Sequence, residues 1–175
     1  MDSPEMVELD ETRITSESRR FATDLFARFP ELRRHAAMEP LPGGDRWTLV
    51  VKVSAPSGDP RSELVVWVDG GDDPSVGFGG WHTHENVWGA SSEDGAERET
   101  LLDLVAGILA DRFVICEDVG GVGNGSVTIL DLLEPDALLD ELTGKHSPGR
   151  ARLHSWSGRL DREVGLEDLE PNEPA

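Results

Sequence analysis

His82-Thr83-His84 ends a strand-like run, Val76-Gly77-Phe78-Gly79-Gly80-Trp81, and is followed by Ser91-Ser92-Glu93-Asp94. Residues two apart in an extended chain point to one face, so the two imidazoles project together and could share a metal ion. A structural role accounts for the same residues. Ser91 or Ser92 makes a good helix N-cap, and Glu93 and Asp94 in the first turn complement the helix dipole. His82 and His84 would then share the face of Val76 and Phe78 at the margin of the core, hydrogen-bonded to backbone or carboxylate.

Other residues with chemical potential are less telling. Cys116 is the lone cysteine and lies in the apolar run Phe113-Val114-Ile115, where a buried, inert thiol is expected. Gly120-Gly121-Val122-Gly123-Asn124-Gly125 precedes a strand rather than opening a helix, so it reads as a hairpin loop and not as a phosphate cradle. There is no Gly-x-Ser-x-Gly elbow, and His35, His82, His84, His146 and His154 form no recognisable triad. Among the tryptophans, Trp88 falls in the loop after the histidine pair and is expected to be exposed.

The elements that must position these residues follow from periodicity. Phe21, Leu25, Phe29 and Leu32 fall at helical spacing, predicting a helix from Ser16 to about Leu32. Trp47, Leu49, Val51 and Val53 alternate as in a half-buried strand, whereas Leu64-Val65-Val66-Trp67-Val68 is apolar on both faces. With Val76-Gly77-Phe78 these strands predict an antiparallel meander. A second helix is expected from about Glu93 to Asp111, then strands at 113–116 and 127–130. A third helix is bounded by Pro135 and Gly144, and a last strand runs from Arg150 to about Ser157. The order predicts an α+β single domain, with a mainly antiparallel sheet of about five or six strands packed by about three helices.

The 175 residues suit one such domain, taken as 13–158 between acidic tails at 1–12 and 159–175. Asp and Glu number 35 against 16 Lys and Arg, giving a net charge of −19. The tails carry −9 of this, so the body is acidic in its own right. Such a surface repels nucleic acid and anionic membranes and attracts basic partners; the acidity also serves solubility or adaptation to salt. The unpaired cysteine, the absence of a secretory pattern at Met1-Asp2-Ser3-Pro4-Glu5 and the lack of a long apolar run point to a bacterial-type cytoplasm.

Gly79-Gly80-Trp81-His82-Thr83-His84 with Ser91 and Asp94 resembles the JAMM family of zinc metalloproteases, in which seven residues separate His-x-His from Ser and two residues separate that Ser from Asp. Here six residues separate His84 from Ser91. The resemblance implies His82, His84 and Asp94 as zinc ligands and hydrolysis of an amide or isopeptide bond. It also implies an upstream general-base Glu, for which Glu39 and Glu63 are available. In size, charge and layout the chain is similar to bacterial immunity proteins, small acidic α/β proteins that cover the cleft of a basic toxin. That likeness implies a noncatalytic role without cofactor, with Glu85, Trp88, Glu93, Asp94, Glu117 and Asp118 meeting a basic protein partner. The interaction role is the leading expectation and the zinc hydrolase the alternative; the sequence leaves the partner, the substrate and the oligomeric state open.

Overall fold

The computed structural model describes residues 10–41, 43, 46–68, 73–88, 100–119, 127–134 and 150–165. Among them are three α-helices and nine strands in two antiparallel sheets, so the α+β class and the antiparallel pairing expected from the sequence are present. The strands divide into a sheet of five and a sheet of four, where one sheet of about five or six was expected. The chain falls into two compact units. The first gathers described residues up to Ser54, in 63–78 and in 82–105; the second gathers those in 55–62, in 79–81 and from Ala106 onward.

In the first unit, helix α1 spans Ser16–Arg28. Thr15 caps it: its side-chain oxygen accepts from the Ser18 backbone N–H at 3.1 Å. The helix stops short of the expected Leu32 because Pro30 disfavours helical geometry at Phe29, and a 3-10 turn takes over at Pro30–His35. The sheet has the order β1-β2-β3-β4-β5, with β1 at Ala36–Pro40, β2 at Trp47–Val53, β3 at Leu64–Val68, β4 at Ser75–Phe78 and β5 at Trp81–His84. Strand β3 lies in the middle, and Leu64, Val65, Val66 and Val68 are all buried, as a run apolar on both faces requires. Strand β1 was not foreseen. Its terminal Pro40 is tolerated because β1 is the outermost strand, where a missing N–H breaks no interior ladder.

The run 76–84 is not one strand. Gly79 has φ +59° and turns the chain with Gly80, so the histidines belong to β5 and do not share a strand face with Val76 and Phe78. The short helix α2 follows at Glu85–Trp88, where a loop was expected. Helix α3, Leu101–Leu109, begins after Thr100 rather than near Glu93. Its start is a reciprocal cap: the Asp103 N–H donates to Thr100 Oγ1 at 3.2 Å, and the Thr100 N–H donates to Asp103 Oδ2 at 2.9 Å.

The second unit is built on β6 (Phe113–Asp118), β7 (Val127–Asp131), β8 (Arg150–His154) and β9 (Arg162–Gly165), ordered β7-β6-β8-β9. One face is apolar and buried, comprising Val114, Cys116, Leu130, Ala151, Leu153 and Val164, so the cysteine is the buried thiol expected. The register places Ile115, Glu117, Arg152, His154 and Glu163 on the other face. Gly107 lies against the Phe113 ring, where a Cβ would approach to 2.4 Å, so no larger residue fits that turn of α3.

Strand β8 ends at His154, and the chain returns through a turn to pair β9 with β8, because Val164 contributes to the apolar face. The expected third helix at 135–144, the glycine loop at 120–125 and most of both tails lie outside the described residues. No helix among the described residues is long and apolar enough to cross a membrane.

Candidate functional site

Two histidine regions invite chemistry. In the first unit, His82 and His84 flank the buried Thr83 on β5 and do project to one side, with ring centroids 5.8 Å apart and planes at 83°. His82 is exposed and His84 is half-buried. The His84 Nδ1 lies 3.4 Å from Asp73 Oδ2, an ion pair when the ring is protonated. Asp94, the carboxylate that would complete a metal set with this pair, and Glu93 lie outside the described residues.

The remaining residues expected at a binding surface are distributed as follows. Glu85 is exposed at the start of α2, and its backbone N–H donates to the Pro74 carbonyl at 3.0 Å. Trp88 is half-buried in α2, a correction to the expected exposure: a four-residue helix, not a loop, carries it. Glu117 and Asp118 end β6 in the second unit and, being adjacent in a strand, point to opposite faces. Asp118 Oδ1 is buried with no hydrogen-bond partner among the described residues. Glu117 is engaged by a histidine that spacing alone did not single out.

That histidine is His154, whose side chain is only 3% exposed. Its Nε2 lies 3.2 Å from Glu117 Oε2 and its Nδ1 lies 3.6 Å from Asp59 Oδ2. Asp59, His154 and Asp161 each offer a donor atom within 4.8 Å of the others. They line a shallow cleft of about 310 Å³ with Arg61, Arg152, Arg162 and Glu163. Each comes from a different local device. Asp59 sits in the turn after Ser57-Gly58, and its carboxylate accepts from the Arg61 backbone N–H at 2.9 Å. His154 ends β8, while Asp161 closes the next turn by accepting from the Ser155 N–H at 2.7 Å and the Ser155 hydroxyl at 3.1 Å.

Electrostatics fix the cluster. The Arg61 guanidinium holds the Asp59 carboxyl below its ordinary range, donating from Nε and Nη2 at 3.0–3.2 Å. Arg61 also approaches Glu117 Oε2 at 3.9 Å. The turn that presents Asp161 is braced behind by Asp111, a residue with φ +57° that is 7% exposed. Burial raises the Asp111 pKa, but the Ser157 hydroxyl and N–H and the Arg159 guanidinium outweigh it and hold the carboxyl low. A buried imidazole facing two carboxylates can bind a cation or carry a second proton; the sequence signals for it were only a turn and a strand end.

Comparison with known proteins finds no matching family model, no matching curated protein and no matching solved structure.

Proposed function

We propose that this chain is a noncatalytic acidic interaction protein of the bacterial cytoplasm. It binds and blocks a basic protein partner in the manner of the immunity proteins it resembles. The observation that carries the reading is the net charge of −19. Internal ion pairs already engage much of the basic complement: Arg28 with Asp103, Lys52 with Glu39, Arg61 with Asp59, Arg112 with Asp131, and Arg150 with Glu163. The field left over for a partner is negative, and it steers cationic proteins while disfavouring nucleic acid. Glu85, Trp88, Glu93, Asp94, Glu117 and Asp118 are the residues assigned to contact.

The experiment is calorimetric titration against a panel of basic bacterial nuclease toxin domains. At least one stoichiometric complex that inhibits the nuclease and weakens with salt is expected. Absence of binding across the panel, or binding indifferent to salt, contradicts the reading.

A second reading keeps the zinc hydrolase, because His82 and His84 do share a side of β5. It requires His82, His84 and Asp94 to bind zinc and the loaded protein to cleave an amide or isopeptide substrate. Zinc uptake unaffected by His82→Ala/His84→Ala would remove it.

A further inference from the structure

We infer that Asp59, His154 and Asp161 form a divalent-cation site, best suited to zinc, that is separate from the His82/His84 pair. His154 Nε2 lies 3.2 Å from Glu117 Oε2, a contact that suits the tautomer with its hydrogen on Nε2. In the neutral ring Nδ1 then presents a lone pair, and it faces another carboxylate oxygen, Asp59 Oδ2, at 3.6 Å. A lone pair and a carboxylate repel one another unless a positive charge, a bound cation or a proton on Nδ1, lies between them. At 3.6 Å the pair is beyond direct hydrogen-bond range. The separation is close to the roughly 3.3–3.5 Å expected between two tetrahedral ligands about 2.0–2.1 Å from one zinc ion.

The other parts fit the same assignment. Asp161 uses Oδ1 to hold Ser155, leaving Oδ2 as the oxygen for a third ligand. The three donor atoms lie within 4.8 Å of one another, so loading draws them in by about an ångström, and the exposed Asp161 carboxylate has room to make that movement. Glu117 supplies the outer support that metal-bound imidazoles commonly have, a carboxylate that fixes the tautomer and orients the ring. One imidazole and two carboxylates favour a borderline cation such as zinc over magnesium or calcium, which prefer all-oxygen sets. Three protein ligands leave a fourth position facing the cleft, open to water or to a donor from a bound partner.

Arg61, Arg152 and Arg162 line the same cleft and oppose the cation, Arg61 most directly because it is bonded to a proposed ligand. The Arg61 guanidinium lies on Asp59 and is half-exposed, so it partly neutralises one ligand. This gives the proposal a signed test. In the full-length protein, zinc titration by calorimetry and equilibrium dialysis is expected to load one ion per chain at micromolar or tighter concentration, and His82→Ala/His84→Ala is expected to retain it. Asp59→Asn keeps a side-chain oxygen for the Arg61 N–H and should fold, yet it is expected to weaken zinc at least about tenfold. Arg61→Gln, which removes the competing charge, is expected to tighten zinc by about two- to fivefold. Thermal melts of each apo variant confirm folding, and cobalt substitution reports ligand number from its visible bands. No zinc uptake by the wild type, equal uptake by Asp59→Asn, or loss of zinc in the His82/His84 variant alone would overturn the assignment.

Discussion

The two histidine regions differ in a way that separates what is written locally from what the fold assembles. His82 and His84 are two residues apart, exposed or half-exposed, and an extended strand alone is enough to set them side by side. His154 is buried, and its partners come from a turn before β3, from the middle of the second sheet and from the turn after β8. The first arrangement can be read from spacing, and of its two rings His84 meets a carboxylate among the described residues, Asp73 at 3.4 Å. The second is invisible to spacing, yet each ring nitrogen faces a defined carboxylate. Proximity in sequence thus marks the less constrained of the two places.

Mutation should break that comparison most strongly at the buried ring. His154→Ala removes a buried side chain and leaves Glu117 and Asp59 facing one another, so a loss of about 2–4 kcal/mol is expected in urea denaturation. His82→Ala should melt with the wild type. Equal losses in the two variants would mean that burial does not distinguish the regions.

Gly79→Ala comes next. Its φ of +59° is strained for alanine, and the added Cβ would lie 2.2 Å from the Arg61 carbonyl oxygen. A loss of about 2–3 kcal/mol is expected, whereas Gly58→Ala, which also has positive φ but meets nothing within 4 Å, should lose less. A Gly58 variant as damaged as the Gly79 variant would show that conformation, not collision, sets the cost.

A smaller effect tests the turn behind the cluster. Asp111→Asn keeps an acceptor for the Ser157 N–H but gives up the charge that meets Arg159, and about 1–2 kcal/mol should be lost. Thermal melts of this variant and of Arg159→Ala alone would separate the two contributions.

The smallest expected effect lies away from both histidine regions and serves as a control. Asp103 is pulled down to about 2 by the Thr100 backbone N–H first and by Arg28 second. Its folded-state pKa is depressed below the usual 3.8, so its stabilising contribution is fully present above that value and is lost as pH falls through about 2. Asp103→Asn should therefore be less stable than the wild type at neutral pH, and the difference should shrink as the solution is acidified below about pH 4. A gap that persists at low pH would assign the effect to packing. Asp103 is more than a third exposed, which keeps the effect small.

Much of the fold was legible because it rests on periodicity. The Trp47–Val53 and Leu64–Val68 strands, the amphipathic first helix and the burial of Cys116 all follow from apolar spacing. The errors arose where a local signal outranked the pattern. Pro30 shortened α1, Gly79 split a run that looks continuous, and Thr100 with Asp103 caps α3 at Leu101, while Ser91 and Ser92 lie outside the described residues. Strand β9 was missed because Arg162-Glu163-Val164 offers one apolar residue and reads as tail, although Val164 fills a place in the sheet's apolar face. Of the binding residues, Glu85 is exposed at the start of α2. Glu117 instead faces a buried histidine, which no alternation in the sequence could have announced.

Capture of a basic partner by the surplus negative charge is what the proposed function requires. It is tested most directly by the association rate constant with a basic nuclease toxin domain, measured by stopped flow as ionic strength is raised from about 0.02 to 0.5 M. The account predicts a fast rate at low salt that falls steeply as screening shortens the reach of the field, with dissociation changing much less. A rate that is slow throughout, or that does not change with salt, would contradict it.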